Sequence, residues 1–307
     1  MRLTADLAVG SASDPGRHLA GHLSPLAALD GDIARTQTYA RASSRAATQT
    51  AAMQAALARV DDLSTQTAST LIRAGESRDP GTLALASDAA QGAFASAVSA
   101  LNTRVAGHSL FAASASDQPA LSRDTDILAA ARLAIGPAAS PSDIESALDA
   151  WLNDPTGFEA TAWRGGGDIL RLPVAPGEEV RIDATARDPR LHSTFKGLIL
   201  GALLADTGFG GDTAARADLS RRAGLSLMAG SEGRADIAAQ LGQAEARIDL
   251  ARTRATAEQS ALSMARNDLL AIDLPDTVAR LNETESRIQM LYALTSRLSR
   301  LSMADYL

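Results

Sequence analysis

The sequence has no cysteine. That excludes disulfides, thiolate metal sites and a cysteine nucleophile. Lysine is almost missing as well: Lys196 stands alone among 29 lysines and arginines, so chemistry that needs two lysines is excluded. Aromatic residues make up 3 % of the chain. Rings fill wide interiors and ligand pockets, so their scarcity argues against an enzyme-like core and for small side chains between close-lying helices. Long apolar runs are lacking too. The longest, Gly197 to Ala205, falls far below the ~20 residues that span a bilayer. Met1 to Gly10 carries Arg2 and Asp6 and has no apolar stretch of the kind a cleavable secretory signal needs. The chain also lacks excess positive charge. Its net charge of −7 leaves no basic face to meet phosphates, which argues against nucleic acid as a partner.

What is present is helix-forming. Hydrophobic residues are 46 % of the 307, much of that Ala and Leu, and the length alone suggests two domains. Three zones follow one another: helix from Leu29 to Leu110, a mixed middle from Ser114 to Gly211, and helix again from Asp212. In the first zone Tyr39, Ser43, Ala46, Thr50, Met53, Leu57, Val60, Ser64, Thr67 and Leu71 step by four and three, which puts them on one seam of a long helix over 30–72. Ser and Thr weaken that seam, so other elements have to cover it. Gly75 to Gly81 predicts a break, with Asp79-Pro80 as the next helix start. Leu83, Ser87, Ala90, Phe94, Ala97 and Leu101 continue the spacing on an antiparallel neighbour.

The C-terminal zone repeats the pattern. Ile237, Leu241, Ala244, Ile248, Ala251, Ala255, Glu258, Leu262, Ala265 and Leu269 make one seam. Pro275 interrupts, and Thr277, Leu281, Thr284, Ile288, Leu291, Thr295 and Leu298 make another. The middle zone predicts a helix from Asp143 to Leu152 capped by Ser140 or Ser142. It then predicts strands at Phe158–Arg164, Asp168–Pro173 and Glu179–Ala184, joined by turns at Gly165–Gly167 and Pro176-Gly177 into a small antiparallel sheet. An apolar helix from Phe195 to Leu204 is expected to cover that sheet.

Chemistry is nearly absent. His18 and His22 are four apart, as metal ligands on a helix face can be, but no acid lies between them and surface histidines are the default. His108 and His192 read as structural. The glycine-rich Thr207–Thr213 lacks the Gly-Lys-Ser/Thr of a phosphate loop and reads as a connector. Asp61-Asp62 and Glu178-Glu179 read as solvated charges. Catalytic, cofactor and metal residues are therefore expected to be none. The apolar seams carry the information, because an apolar stripe left exposed on a terminal helix marks an interface.

Several stretches resemble a known family. Leu101-Asn102-Thr103-Arg104-Val105-Ala106-Gly107-His108-Ser109-Leu110-Phe111-Ala112, with Pro119 beyond it, is similar to the end of the second core helix in flagellins and hook–filament junction proteins. Ser11-Ala12-Ser13-Asp14-Pro15 resembles the family's Ser-Asp-Asp-Pro turn after the first terminal helix. Ile182 to Leu204 resembles the junction proteins' outer domain, and Leu281 to Leu307 their C-terminal helix. The resemblance departs at the start: only Met1 to Gly10 stand ahead of that turn, where the family carries a longer helix, so most of the C-terminal helix's partner is expected to be missing.

The resemblance implies a mainly α fold with a small β-containing middle domain. Its N- and C-terminal segments would form a long antiparallel α-helical bundle or coiled coil. Residues 1–113 would be an N-terminal helical core segment, 114–211 a middle α/β outer domain, 212–274 a core helix packing on the first segment, and 275–307 a terminal assembly helix. It implies a non-enzymatic, extracellular protein of the bacterial flagellum at the hook–filament junction, exported unfolded without a cleaved signal. Partners would be further copies of itself, other hook-associated proteins, flagellin and a cytoplasmic export chaperone, with no nucleic acid and no membrane insertion. Leu281, Ile288, Leu291, Leu298 and Leu301 would form the assembly interface. The alternatives are a filament-forming flagellin or, in a different class, a secreted coiled-coil adaptor or effector.

Overall fold

The computed structural model describes residues 2–136, 140–205 and 212–304, with backbone alone at 2–3 and 299–304. Its helices are α1 (Arg2–Val9), α2 (Pro15–His18), α3 (Ser24–Ser77), α4 (Pro80–Leu101), α5 (Asp124–Ile135), α6 (Pro141–Asn153), α7 (His192–Ala202), α8 (Thr213–Leu270) and α9 (Leu274–Ala304). Two small antiparallel hairpins complete it, β1 (Arg104–Val105) with β2 (His108–Ser109) and β3 (Leu170–Ala175) with β4 (Glu178–Ile182). The mainly α architecture with a small β component is the one expected. The chain divides into two compact units, Met1–Thr38 with Thr253–Leu307, and Tyr39–Arg252.

In the Tyr39–Arg252 unit, the seam residues of α3 from Ser43 to Leu71 are buried, as are Leu83, Ser87, Ala90, Phe94, Ala97 and Leu101 of α4. The Ser and Thr positions are not merely tolerated there. Ser43 Oγ donates to the carbonyl of Val174 at 3.0 Å, and Ser220 Oγ on α8 to that of Leu71 at 2.7 Å. Both tie the seam to a neighbouring element, and a buried hydroxyl with a partner avoids the desolvation cost of an orphan. Helix α8 runs antiparallel to α3: Ser220 meets Leu71, Arg234 meets Asp61, and Gln54 donates to Ala238. The two backbones lie close because Gly224 faces α3. A Cβ there would come within 2.8 Å of the Ala68 carbonyl oxygen and 2.6 Å of Ile72.

Local signals set the helix ends. Asp79 accepts from Thr82 N at 2.8 Å with Pro80 in the first turn, and Ser140 accepts from Asp143 N at 3.2 Å. Both are N-caps, which satisfy amide groups that the helix itself cannot.

Four expectations are corrected. Helix does not continue to Leu110: α4 stops at Leu101, and Arg104–Ser109 closes a tight hairpin on Ala106 and Gly107, both at positive φ. Phe158–Arg164 is not a strand. Asp154-Pro155 starts an irregular helical turn in which Phe158 and Ala162 are buried one turn apart, and only Trp163 pairs, in a bridge with Leu121. The sheet is therefore two-stranded, with Leu170 opposite Ile182 and Leu172 opposite Val180. Helix α7 packs chiefly on α4, and also on α6. Helix α5 was not anticipated, although acids in its first turn and buried Ile127, Leu128 and Ala131 at helical spacing mark it.

Candidate assembly surface

The core of the molecule, one contiguous apolar cluster running from Ala46 to Ala251, lies inside the Tyr39–Arg252 unit. The other unit has little of its own. Among its described residues Leu26, Thr36, Ala255, Leu270 and Thr277 are buried. Its α8 seam fades along the helix: Ala255 is buried, Leu262 and Leu269 half-buried, Glu258 and Ala265 exposed.

This unit is held by specific polar contacts. Ser11 bridges to Ala271, Ala12 N donates to the Leu270 carbonyl at 2.9 Å, and Ser13 N to the Asp6 carboxylate at 2.7 Å. Asp14 then caps α2, accepting from Arg17 N at 3.2 Å, with Pro15 in the first turn. Arg266 on α8 donates to Asp30 on α3 at 2.7 Å. At the break before α9, Asp273 accepts from Asp276 N at 3.1 Å, and the Thr277 hydroxyl bonds its backbone carbonyl at 2.7 Å. Pro275 lies within that first turn, where it lacks only a donor the helix does not use.

Helix α1 packs against α9, yet α9 stays largely uncovered. Leu281 is half-buried, while Ile288 is 46 % exposed, Leu291 62 % and Leu298 66 %. Steps of seven, three and seven keep these four on one helix face. The side chain of Leu301 lies outside the described residues. The sequence reading missed three members of the surface, the exposed Met290, Tyr292 and Leu294. The signal was present: Tyr292 follows Ile288 by four, and Met290, Leu294 and Leu298 are four apart, so the apolar surface is broader than a single heptad seam.

Elsewhere the polar groups staple helices together. Lys196 on α7 reaches Asp149 at 3.0 Å and Glu145 at 3.3 Å on α6, and Arg222 on α8 reaches Glu145 at 3.0 Å. The hydrogen bond from Arg222 holds the Asp218 carboxyl below its usual range, and the same contact raises the Arg222 guanidinium. Burial pushes the His192 imidazole down, against the opposing pull of Asp188 and Asp149; its Nδ1 lies 3.3 Å from Asn153 Oδ1. His108 Nδ1 lies 3.1 Å from Ser116 Oγ on an exposed hairpin, and among the described residues no carboxylate is hydrogen-bonded to that ring. His18 and His22 do not share a helix face: α2 ends at His18, and Ala20 and Gly21 turn the chain with positive φ. Among the described residues no three His, Asp or Glu side chains gather as a metal site, and no helix is long and apolar enough to cross a membrane. The glycine-rich connector lies outside the described residues from Thr207 to Gly211, and Asp212 caps α8 by accepting from Ala214 N at 2.9 Å.

Residues 233–307 match the family described as the bacterial flagellin C-terminal helical region. That segment contains the whole of α9 and its exposed apolar surface. The fold as a whole is similar to that of a protein described as a candidate flagellar hook-associated protein from Vibrio parahaemolyticus. The match has a TM-score of 0.53 at 14 % identity and covers 83 % of this chain and 98 % of that one. At that identity the likeness is one of fold. No curated protein matches the chain. The resemblance to the flagellin superfamily read from the sequence is thus matched over residues 233–307.

Proposed function

We propose that this protein is a non-enzymatic structural subunit of the bacterial flagellum that joins hook to filament, assembling through its terminal helices. One observation carries the reading: the helix matched to the flagellin C-terminal region exposes Ile288, Leu291, Tyr292 and Leu298, in a unit that has little core of its own. Burying that surface against further subunits supplies the apolar contact the lone chain lacks. The likeness in fold is to a protein described as hook-associated, which agrees with a place beside the hook. Other hook-associated proteins and flagellin are then its neighbours outside the cell. A cytoplasmic chaperone covers α9 before export, because an uncovered apolar helix invites aggregation.

Deletion of the gene, followed by electron microscopy of the cells, tests this. The expected result is complete hooks without filaments, with filament protein shed into the medium. Normal attached filaments overturn it. The family match itself favours a second reading, a filament-forming flagellin. In that case the chain makes up the bulk of purified filaments, whereas a junction subunit is a trace component at one end.

A further inference from the structure

Helices α8 and α9 are separated by a short break, residues 271–273, between Leu270 and Leu274. Helix α9 caps its own start through Asp273. Among the described residues, the hydrogen bonds that leave this break for another segment go to residues 10–12. Ala12 N donates to the Leu270 carbonyl at 2.9 Å, and Ile272 N to that of Gly10 at 3.5 Å. The two bonds flank Ser11 and Ala271, which face each other as an antiparallel bridge.

The same short segment is tied to α1. Asp6 accepts from Ser13 N through its carboxylate at 2.7 Å, and from Gly10 N through its backbone carbonyl at 2.8 Å. Gly10 turns the chain at a φ of +73°, a region that β-branched residues avoid. Helix α1 itself packs on α9. Between Leu274 and Leu298, the positions of α9 that are not exposed are Thr277 and Leu281, in its first turns. The contacts that direct α9 are therefore gathered at its base, while Ile288, Leu291 and Leu298 stand well beyond it. At ~1.5 Å of rise per residue, a swing of about 20° at the break would carry Leu298 by about 12 Å. A surface that wanders this far is ordered only at a cost in binding, and one held in place beforehand avoids that cost.

We propose that residues 10–13 are a strap that closes the break between α8 and α9 and sets the direction in which the apolar surface of α9 is presented. Asp6, Gly10, Ser11 and Ala12 are positioning residues, and none of them belongs to that surface. The consequence for assembly rests on the reading of α9 as the assembly surface. The hold of the strap on α9 is a property of the free chain.

The sequence has no cysteine, so introduced ones report without background. Spin labels at Met264→Cys on α8 and Gln289→Cys on α9, both exposed and in one unit, give the distance distribution across the break in the free protein. The expected result is one narrow distribution. It broadens by about 5–10 Å in Gly10→Val, whose side chain meets no neighbour but holds a positive φ poorly. The main unfolding transition stays at the wild-type midpoint, because Gly10 lies outside the contiguous core; loss of the strap is thereby told apart from loss of folding. In unlabelled Gly10→Val, co-assembly with flagellar subunits, read by pelleting, falls about tenfold. Adding Ser11→Cys/Ala271→Cys to that variant restores co-assembly when oxidised, and reduction removes it again. A bridge pair flanked by its hydrogen bonds has its Cα atoms about 4.5 Å apart, within reach of a disulfide. An unchanged distribution in Gly10→Val overturns the proposal. So does loss of co-assembly when the disulfide forms in the chain that keeps Gly10, because the strap would then be a cover that has to open. Failure of the wild type to co-assemble counts against the junction reading, and the distance measurement then decides the strap by itself.

Discussion

The guanidinium of Arg234 on α8 donates to the Asp61 carboxylate on α3 across 2.7 Å, and the two ends of this bond live in different surroundings. The Arg234 side chain is 3 % exposed and Asp61 is 50 % exposed. Arg234 also donates to Thr194 Oγ1 at 2.8 Å and to the Leu227 carbonyl at 3.2 Å. The asymmetry predicts asymmetric mutants. Asp61→Ala leaves a buried cation without its counter-ion and is expected to cost about 2–4 kcal/mol. Arg234→Met leaves a carboxylate that water can solvate and fills the space with an apolar chain, for about 1–2 kcal/mol. The double variant is expected to be no less stable than Asp61→Ala alone. Denaturant unfolding of the three proteins checks this, and a larger loss in Arg234→Met than in Asp61→Ala contradicts it.

Close backbone approach gives a second prediction. Gly224→Val places a branched side chain where even a Cβ meets the Ala68 carbonyl oxygen at 2.8 Å. Ile72 is a side chain and can turn aside, but the Ala68 carbonyl belongs to a helical backbone. The helices have to separate, at an expected cost of about 1–3 kcal/mol. The readout is the unfolding midpoint, which at this size falls by roughly 2–4 °C per kcal/mol. Gly242, whose Cβ would meet nothing within 4 Å, serves as the control: its change to Ala in the same helix is expected to be neutral or stabilising.

Much of this architecture was readable from period alone. The four-and-three spacing from Ser43 to Leu71 and from Leu83 to Leu101 names the buried faces of α3 and α4 residue by residue, and Asp79-Pro80 names the break between them. Period could not say what a seam serine does. Ser43 finds the Val174 carbonyl 131 positions away, and no local pattern encodes such a partner. Phe158–Arg164 failed for the opposite reason: its β-favouring residues outvoted Asp154-Pro155, whose cap commits the chain to a turn. For α9 the heptad picked out one stripe and left Tyr292 and Leu294 aside, although both lie at helical spacing from residues on it.

The exposed α9 surface predicts a separation of folding from assembly. Ile288→Asp/Leu291→Asp changes two side chains that are 46 % and 62 % exposed and lie outside the contiguous core. Far-UV circular dichroism and the midpoint of the main unfolding transition are expected to match the wild type. Co-assembly with further flagellar subunits, read by pelleting and by filament attachment on complemented cells, is expected to be lost. Attachment at the wild-type level would remove α9 as the assembly surface.

The His192 imidazole gives a pH dependence whose sign is fixed by burial. Burial lowers its affinity for a proton in the folded chain, against the smaller raising effects of Asp188 and Asp149. The unfolded chain therefore binds the proton first as pH falls. Stability contributed by the neutral ring is complete above the ordinary imidazole range, about 6.5. It declines as pH drops below that range, until the folded ring also protonates. His192→Gln keeps a polar group near Asn153 and cannot titrate. Its unfolding midpoint is expected to vary less between neutral pH and mildly acidic pH than that of the wild type. The ring sits against Phe158 at 6.2 Å, and Phe158 against Phe195 at 5.1 Å, so a charge there is felt where α7 meets the turn after α6. Acid titration followed by tryptophan fluorescence reports this, since Trp151 packs on Phe158 at 5.5 Å. An identical acid profile in the variant would assign the loss of stability to carboxylates such as Asp218 instead, whose lowered affinity for a proton places its own decline at more acidic pH.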